Sequence, residues 1–255
     1  MTLLPIQGNA QDSLAPTHLQ RLIIEFSRRF GLGNGALRKH GARLVYRLRS
    51  EPIHYDYHGL TLRFDPDLVA SGRHMLMSPQ WSEQPEREFI LQHLPANGTF
   101  LDIGMNSGFY TFFVAATRPG CKVLSFEPNS KLVARARANA AANGLRQVHI
   151  EEVALWDSDD DVTVEGVRVR GAMLTSMLDK YSVEAIDVMK IDVDGPEDRI
   201  LMPFFAAKPR SVWPKAIIIE HVFIEQQPDN CLRFAKENGY REVWRSTLNT
   251  ALVLE

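Results

Sequence analysis

Thr99-Phe100-Leu101-Asp102-Ile103-Gly104-Met105-Asn106-Ser107-Gly108-Phe109-Tyr110 is the stretch that decides the fold of this 255-residue chain. An apolar run ends in an acid, passes through small residues, and resumes as the helix-compatible Phe112-Phe113-Val114-Ala115-Ala116. The pattern reads as a buried strand, a tight bend and a helix start. Glycine, lacking a Cβ, lets such a bend turn sharply and approach a ligand closely. The helix start adds backbone N–H groups that have no partner inside the helix. A second strand, Lys122-Val123-Leu124-Ser125-Phe126, closes on Glu127-Pro128-Asn129, and Glu127 lies 25 residues after Asp102, one strand–helix–strand unit. An acid at the tip of the second strand is placed to accept hydrogen bonds from ribose hydroxyls, which points to a nucleoside cofactor.

The dinucleotide fingerprint is absent. Asn106 and Phe109 stand where the second and third glycines of G-x-G-x-x-G belong, and a pyrophosphate needs the second to reach the backbone. S-adenosylmethionine carries no pyrophosphate, and its charged amino group suits an early acid. Asp102 is that acid or holds the bend through its backbone. A third motif, Ile186 to Glu197, delivers Lys190, Asp192 and Asp194 to a strand's C-terminal end, where open α/β sheets bind ligands. Strand residues two apart share a face, so Lys190 and Asp192 lie together if the strand stays regular.

Asp102-x-Gly104-x-Asn106-x-Gly108, then Phe126-Glu127-Pro128, then Lys190-Ile191-Asp192-Val193-Asp194-Gly195-x-Glu197 resembles the FkbM family of S-adenosylmethionine-dependent methyltransferases, over residues 80 to 255. The resemblance implies a Rossmann-like class I methyltransferase fold. This is an α/β domain with a mostly parallel seven-stranded sheet and an antiparallel last strand, here residues 81–255, preceded by a helical and hairpin extension over 1–80. It implies S-adenosylmethionine as cofactor and S-adenosylhomocysteine as product. The binding residues would be Asp102, Gly104, Asn106, Gly108, Tyr110, Glu127, Pro128, Ala154 and Asp192, with Trp81 and Glu86 bordering the pocket and a backbone N–H and C=O near Ala154 reading the adenine edge. It further implies O-methylation of a hydroxyl on a sugar, glycan or polyketide-like product. Two departures fall on the acceptor side: Asp194 replaces a glutamate, and Met202-Pro203 stands where the family has a glycine.

A hydroxyl is a poor nucleophile near neutral pH, so a general base is expected. Asp192 holds the motif position, His221 titrates nearest neutrality, and Lys190 would orient Asp192 by a charge-assisted hydrogen bond. Metal-free chemistry is the reading, with Mg²⁺ on Asp192, Asp194 and Glu220 the lesser alternative, since carboxylates are its natural ligands. The rival from another class is a non-catalytic binding module that keeps the fold.

Composition is that of an ordinary globular protein, with a net charge of −2 and 45% hydrophobic residues. The charge implies no bulk attraction to nucleic acid, and none is expected as a partner. Cys121 and Cys231 make neither a disulfide framework nor a metal spacing. No apolar run spans a bilayer and the start lacks a signal-peptide pattern, so a cytoplasmic protein is expected, with homo-oligomerisation left open.

Along the rest of the chain, residues 1–16 read as a weakly ordered tail. Residues 17–49 read as two basic helices broken at Gly31-Leu32-Gly33-Asn34-Gly35, with Leu19, Leu22, Ile23 and Phe26 at helical spacing as the packing face. A lid, or a patch touching anionic substrate or a membrane surface, is the alternative. Residues 52–65 read as a hairpin, 84–93 as a helix, 129–142 as a helix capped by Asn129, 147–155 as one strand and 162–169 as a short hairpin. A helix after Gly195-Pro196 should kink or end at Pro203. The strand 216–221, a helix 228–238 and two closing strands, 240–245 and 249–254, complete the reading.

Overall fold

The computed structural model describes residues 13–30, 35–222 and 230–255. The chain divides into two compact units, the first ending at Ser82 and the second running from Glu83 to Glu255. The expected tail lies almost wholly outside the described residues, as does most of the Gly-rich break at 31–35.

In the first unit, α1 (His18–Phe30) and α2 (Gly35–Leu48) precede an antiparallel hairpin of β1 (Ile53–Tyr57) and β2 (Leu60–Phe64), then α3 (Val69–Met77). The two hairpin turn residues, His58 and Gly59, both have positive φ, the geometry that matches strand twist. The orientation of α1 corrects the sequence reading. Gln20, Ile24 and Ser27 face inward, while Leu19, Leu22 and Phe26 are exposed. The reason is polar. The Gln20 amide donates to Val45 O at 2.8 Å, and its Oε1 accepts from Thr17 N at 2.9 Å, so this side chain is buried with its hydrogen bonds made. Trp81 donates through Nε1 to Arg28 O at 2.8 Å.

The second unit opens with α4 (Gln84–His93), whose Pro85 sits in the first turn, where its missing N–H costs nothing. There follow β3 (Thr99–Ile103), α5 (Phe109–Thr117), β4 (Lys122–Phe126), α6 (Ser130–Ala142), β5 (Val148–Glu151), β6 (Ala154–Trp156), β7 (Val162–Val164), β8 (Val167–Val169), β9 (Gly171–Met173) and α7 (Leu174–Lys180). The chain ends through β10 (Val188–Ile191), α8 (Glu197–Ala207), β11 (Ala216–Glu220), α9 (Cys231–Glu237), β12 (Tyr240–Arg245) and β13 (Asn249–Leu254). Seven strands form one sheet in the order β12-β13-β11-β10-β3-β4-β5. β3, β4, β5, β10 and β11 are parallel, and β13 runs antiparallel to both neighbours. This is the expected α/β class I methyltransferase arrangement, with a single antiparallel strand that comes last in the chain.

Parallel strands covered by helices on both faces are near-continuous apolar runs. Phe100, Leu101, Ile103, Val123, Leu124, Val188, Met189, Ile191, Ile217 and Ile219 are all buried. On one face Leu201, Phe204 and Phe205 of α8 pack into the same core as Leu101, Met189 and Ile217. That packing explains why α8 runs on through Pro203 to Ala207 rather than stopping there. Its core face holds the helix together although proline supplies no N–H to the Arg199 carbonyl. Asn129 caps α6 as expected, accepting from Lys131 N and Leu132 N.

The expected single strand 147–155 is two. β5 joins the main sheet, and β6 leaves it to pair in parallel with β9. α9 begins at Cys231 behind an Asn230 cap, and positions 228 and 229 of the expected helix lie outside the described residues. Among the described residues no helix is long and apolar enough to cross a membrane.

Candidate functional site

The sheet order places a reversal between β3 and β10. The chain steps outward from β3 through β4 to β5, then returns to the other side of β3. Ligands of open α/β sheets sit beyond the carboxyl ends of the strands at such a point, and the three sequence motifs leave the sheet there.

The bend after β3 is held by both neighbours. Gly104 N and Met105 N donate to Phe126 O of β4 at 3.1 and 3.0 Å, and Asp192 N, just past β10, donates to Ile103 O at 3.0 Å. Gly104 has φ +80°, and a Cβ there would lie 1.8 Å from the Asp192 carbonyl oxygen. At Gly108, which precedes α5 with φ +85°, a Cβ would strike the Phe112 ring. The sequence reading assigned these glycines to ligand approach; the close approach the structure shows is to the protein's own backbone and core. Between them, Asn106 is left-handed at φ 52°.

Glu127 closes the other side of the bend. Its Oε2 accepts from Asn106 N at 2.8 Å and its Oε1 from Asn129 N at 2.9 Å, so one carboxylate ties the bend to the start of α6 through Pro128. Burial raises this carboxyl above its ordinary value, and the two backbone donors oppose the rise. Each oxygen accepts one bond of the two it can take, which leaves capacity for a diol.

Asp102 had two roles open to it, and the contacts it makes run from its carboxylate to the first turn of α5. It is buried, and its Oδ2 accepts from Thr111 N at 2.9 Å and Thr111 Oγ1 at 2.6 Å, with Thr111 in turn 2.7 Å from Ser125 Oγ. It therefore fastens the first turn of α5 to β3 and β4. Burial pushes its carboxyl up to about 6, against the Thr111 bonds. Ala154 lies at the start of β6. Its N–H donates to Arg170 O at 2.9 Å, where β6 meets β9, so any reading of an adenine edge here would fall to neighbouring backbone groups.

On the β10 side a buried polar chain forms. Lys190 is 1% exposed, and its Nζ donates to Asp192 Oδ2 at 2.9 Å and to Asn249 Oδ1 at 3.1 Å. The Asn249 amide donates onward to Glu86 Oε1 at 3.0 Å. Lys190 also lies 5.9 Å from the centre of the Tyr110 ring, whose hydroxyl donates to Glu83. The strand ends at Ile191, yet Lys190 and Asp192 still meet as the alternation implied. Unlike its partner, the Asp192 side chain is 41% exposed, so a fixed cation holds a carboxylate that solvent and ligands can reach.

Asp194 and Glu220 approach Asp192, with one carboxylate oxygen of each of the three within 4.8 Å of the others. Burial, Asp192 and Asp194 together push Glu220 up to about 8. Glu197, in contrast, is structural, its Oε1 accepting from Val193 N and Gly195 N. His221 is buried one residue past β11, with Nδ1 2.9 Å from Thr250 Oγ1 of β13.

The sequence reading did not pick out Glu83 and Asn249. Asn249 carried a weak signal, as a polar residue opening the otherwise apolar strand that follows Ser246-Thr247. Glu83, left-handed at φ 50° before α4, carried none.

The sequence profile of the FkbM methyltransferase domain matches residues 102–242, more than half of the chain, including Asp102, Glu127, Lys190, Asp192 and Glu220. The chain belongs to the FkbM methyltransferase domain family. A curated relative, the 23S rRNA (uracil(1939)-C(5))-methyltransferase RlmD of Acidithiobacillus ferrooxidans, is 31% identical over 167 residues, covering 60% of this chain and 34% of that one. The FkbM chain thus spans about a third of that relative's length. Among solved structures, a precorrin-6y C5,15-methyltransferase from Geobacter metallireducens aligns at TM-score 0.44 and 15% identity, over 68% of this chain and 87% of that one. An rRNA methylase from Streptococcus thermophilus aligns at TM-score 0.44 and 12% identity, over 67% and 95%.

Proposed function

We propose that this methyltransferase uses S-adenosylmethionine to methylate a hydroxyl of a sugar, glycan or polyketide-like acceptor. One observation carries the reading: the bend after β3 is held from both sides at the reversal point, by the Glu127 carboxylate through Asn106 N and by the Asp192 backbone through Ile103 O and beside Gly104. The residues present fit the group. Glu127 retains acceptor capacity for the two ribose hydroxyls, and the reachable acids at the β10 end suit the cationic amino-acid part. When bound, S-adenosylmethionine would supply an electrophilic methyl group.

The chain's own task is then to align an acceptor hydroxyl and take its proton. Alignment alone is worth roughly 7–11 kcal/mol. Asp192 is the base that geometry supports, because its carboxylate is reachable while Lys190 fixes its direction. His221, buried against Thr250, has less access. Asp192, Asp194 and Glu220 have the donor chemistry for Mg²⁺, and a requirement for it would show as activity lost on chelation.

An RNA acceptor is the second reading, favoured by the curated relative's named substrate. Both cysteines are buried, and burial raises both thiols above their ordinary values, so neither offers a ready thiolate for attack on a base.

Calorimetric titration with S-adenosylmethionine tests the cofactor, and tritiated methyl transfer to hydroxyl-bearing glycans against total RNA tests the acceptor. Heat of binding, label on the glycan fraction, and an Asp192→Asn variant whose turnover at saturating cofactor falls about 10²–10⁴-fold are expected. Absence of both heat and thermal shift would overturn the cofactor. Label on RNA alone would overturn the acceptor class, and undiminished turnover in Asp192→Asn would overturn the base.

A further inference from the structure

The outward face of α1 is unusual for a globular protein. Leu19, Leu22, Phe26 and Phe30 follow one another at spacings of three and four and lie on one side of the helix; with Leu44 and Leu48 of α2 they are between 42% and 58% exposed. Single exposed apolar residues are normal, but an ordered stripe of them marks a contact surface. The charge around the stripe is one-sided. Residues 17–50 contain eight Lys and Arg against one Glu, a net +7 in a chain of net −2. Arg21 and Arg29 of α1 and Arg43 and Arg47 of α2 are exposed, the last two each next in sequence to an exposed leucine.

We propose that α1 and α2 form a peripheral membrane-binding surface that lies on an anionic lipid bilayer, leucines and phenylalanines in the acyl boundary and arginines among the headgroups. Helices with a low overall hydrophobicity, an apolar stripe and a basic flank lie in the interface plane in this way, and anionic headgroups attract each nearby Lys or Arg. The other occupants fit less well. A second copy of this chain would set the exposed arginines of α1 and α2 against their own copies across a two-fold interface, which pairs a patch with itself. Single-stranded RNA would satisfy the arginines, but four of the six exposed apolar side chains are leucines, which have no ring face for a base to stack on. Hydrocarbon and anionic phosphate together satisfy both features.

The test is co-sedimentation of the full chain with phosphatidylcholine vesicles made with and without phosphatidylglycerol. Pelleting with the anionic vesicles, little with the neutral ones, and release by salt are expected. Leu22→Ser with Phe26→Ser should weaken binding by about tenfold or more, as lost apolar burial dictates, while far-UV circular dichroism and the heat of S-adenosylmethionine binding stay unchanged. Arg43→Gln with Arg47→Gln should weaken binding and remove much of its salt dependence, which keeps the proposal testable if the first pair misfolds. The proposal fails if the wild-type chain does not pellet with anionic vesicles, or if both variant pairs pellet as it does. It also fails if the Phe26 variant's chief effect is to dissolve a dimer seen by sedimentation velocity, or if an RNA oligonucleotide binds and the vesicles do not.

Discussion

Asp102 and Glu127 were legible as acids at strand tips because that position is a local property, set by where an apolar run stops. What each carboxylate does was not legible, because it depends on which backbone N–H groups the fold brings to it. Asp102 meets Thr111, and its loss would leave the buried Thr111 N–H without its acceptor, while the hydroxyl keeps Ser125. An unsatisfied buried donor costs about 1–3 kcal/mol. Asp102→Ala should therefore lower stability by about 2 kcal/mol and the melting temperature by roughly 4–8 °C, checked by thermal denaturation. An unchanged melting temperature would show that the Thr111 contacts contribute nothing. The Lys190 chain is the opposite case. The Lys190–Asp192 pair follows from strand alternation, whereas Asn249 meets Glu86 across 163 positions of sequence, a distance over which no local pattern operates.

The elements that the sequence identified are those whose ends carry chemistry: the Asn129 cap of α6, the positive-φ turn of the first hairpin, and the strands that lead into the three motifs. It failed where packing overrides pattern. α1 has the expected apolar stripe, but Gln20 reaches Val45 O and turns that stripe outward; α8 passes through Pro203 because Phe204 and Phe205 bind it to the core. The strand 147–155 divides because β9 offers β6 a separate partner. The bend between β3 and α5 is the element on which the site depends, and Gly104 sets its shape. Gly104→Ala would combine a left-handed backbone, costing an L-residue roughly 1–2 kcal/mol, with a Cβ 1.8 Å from the Asp192 carbonyl oxygen. The urea midpoint should fall by the equivalent of about 3 kcal/mol or more. A midpoint within error of the parent would show that β10 does not clamp the bend as described.

For the molecule as a whole, the fold class was legible, and with it the sheet edge at which the three motifs end, because alternating strands and helices with acids at the strand ends admit few topologies. The gathering of three carboxylates at that edge has a consequence for stability. Glu220 is raised to about 8 in the folded protein and returns to an ordinary value near 4.3 when unfolded. Its raised value means that the folded state binds the extra proton. The associated stability is fully present below about pH 4 and is lost as pH rises through about 8. Melting temperatures measured from pH 5 to pH 8.5 should fall in part for this reason, and Glu220→Gln, which cannot ionise, should flatten that fall. An identical pH profile in the variant would remove Glu220 as its source. The central claim is that the bend between Glu127 and Asp192 grips an adenosyl group. The most direct measurement is a crystal of the full chain soaked with S-adenosylhomocysteine. The account predicts density with the ribose hydroxyls against the Glu127 carboxylate and the nucleoside lying along residues 104–108. Density bound elsewhere, or none at saturating ligand, would contradict it.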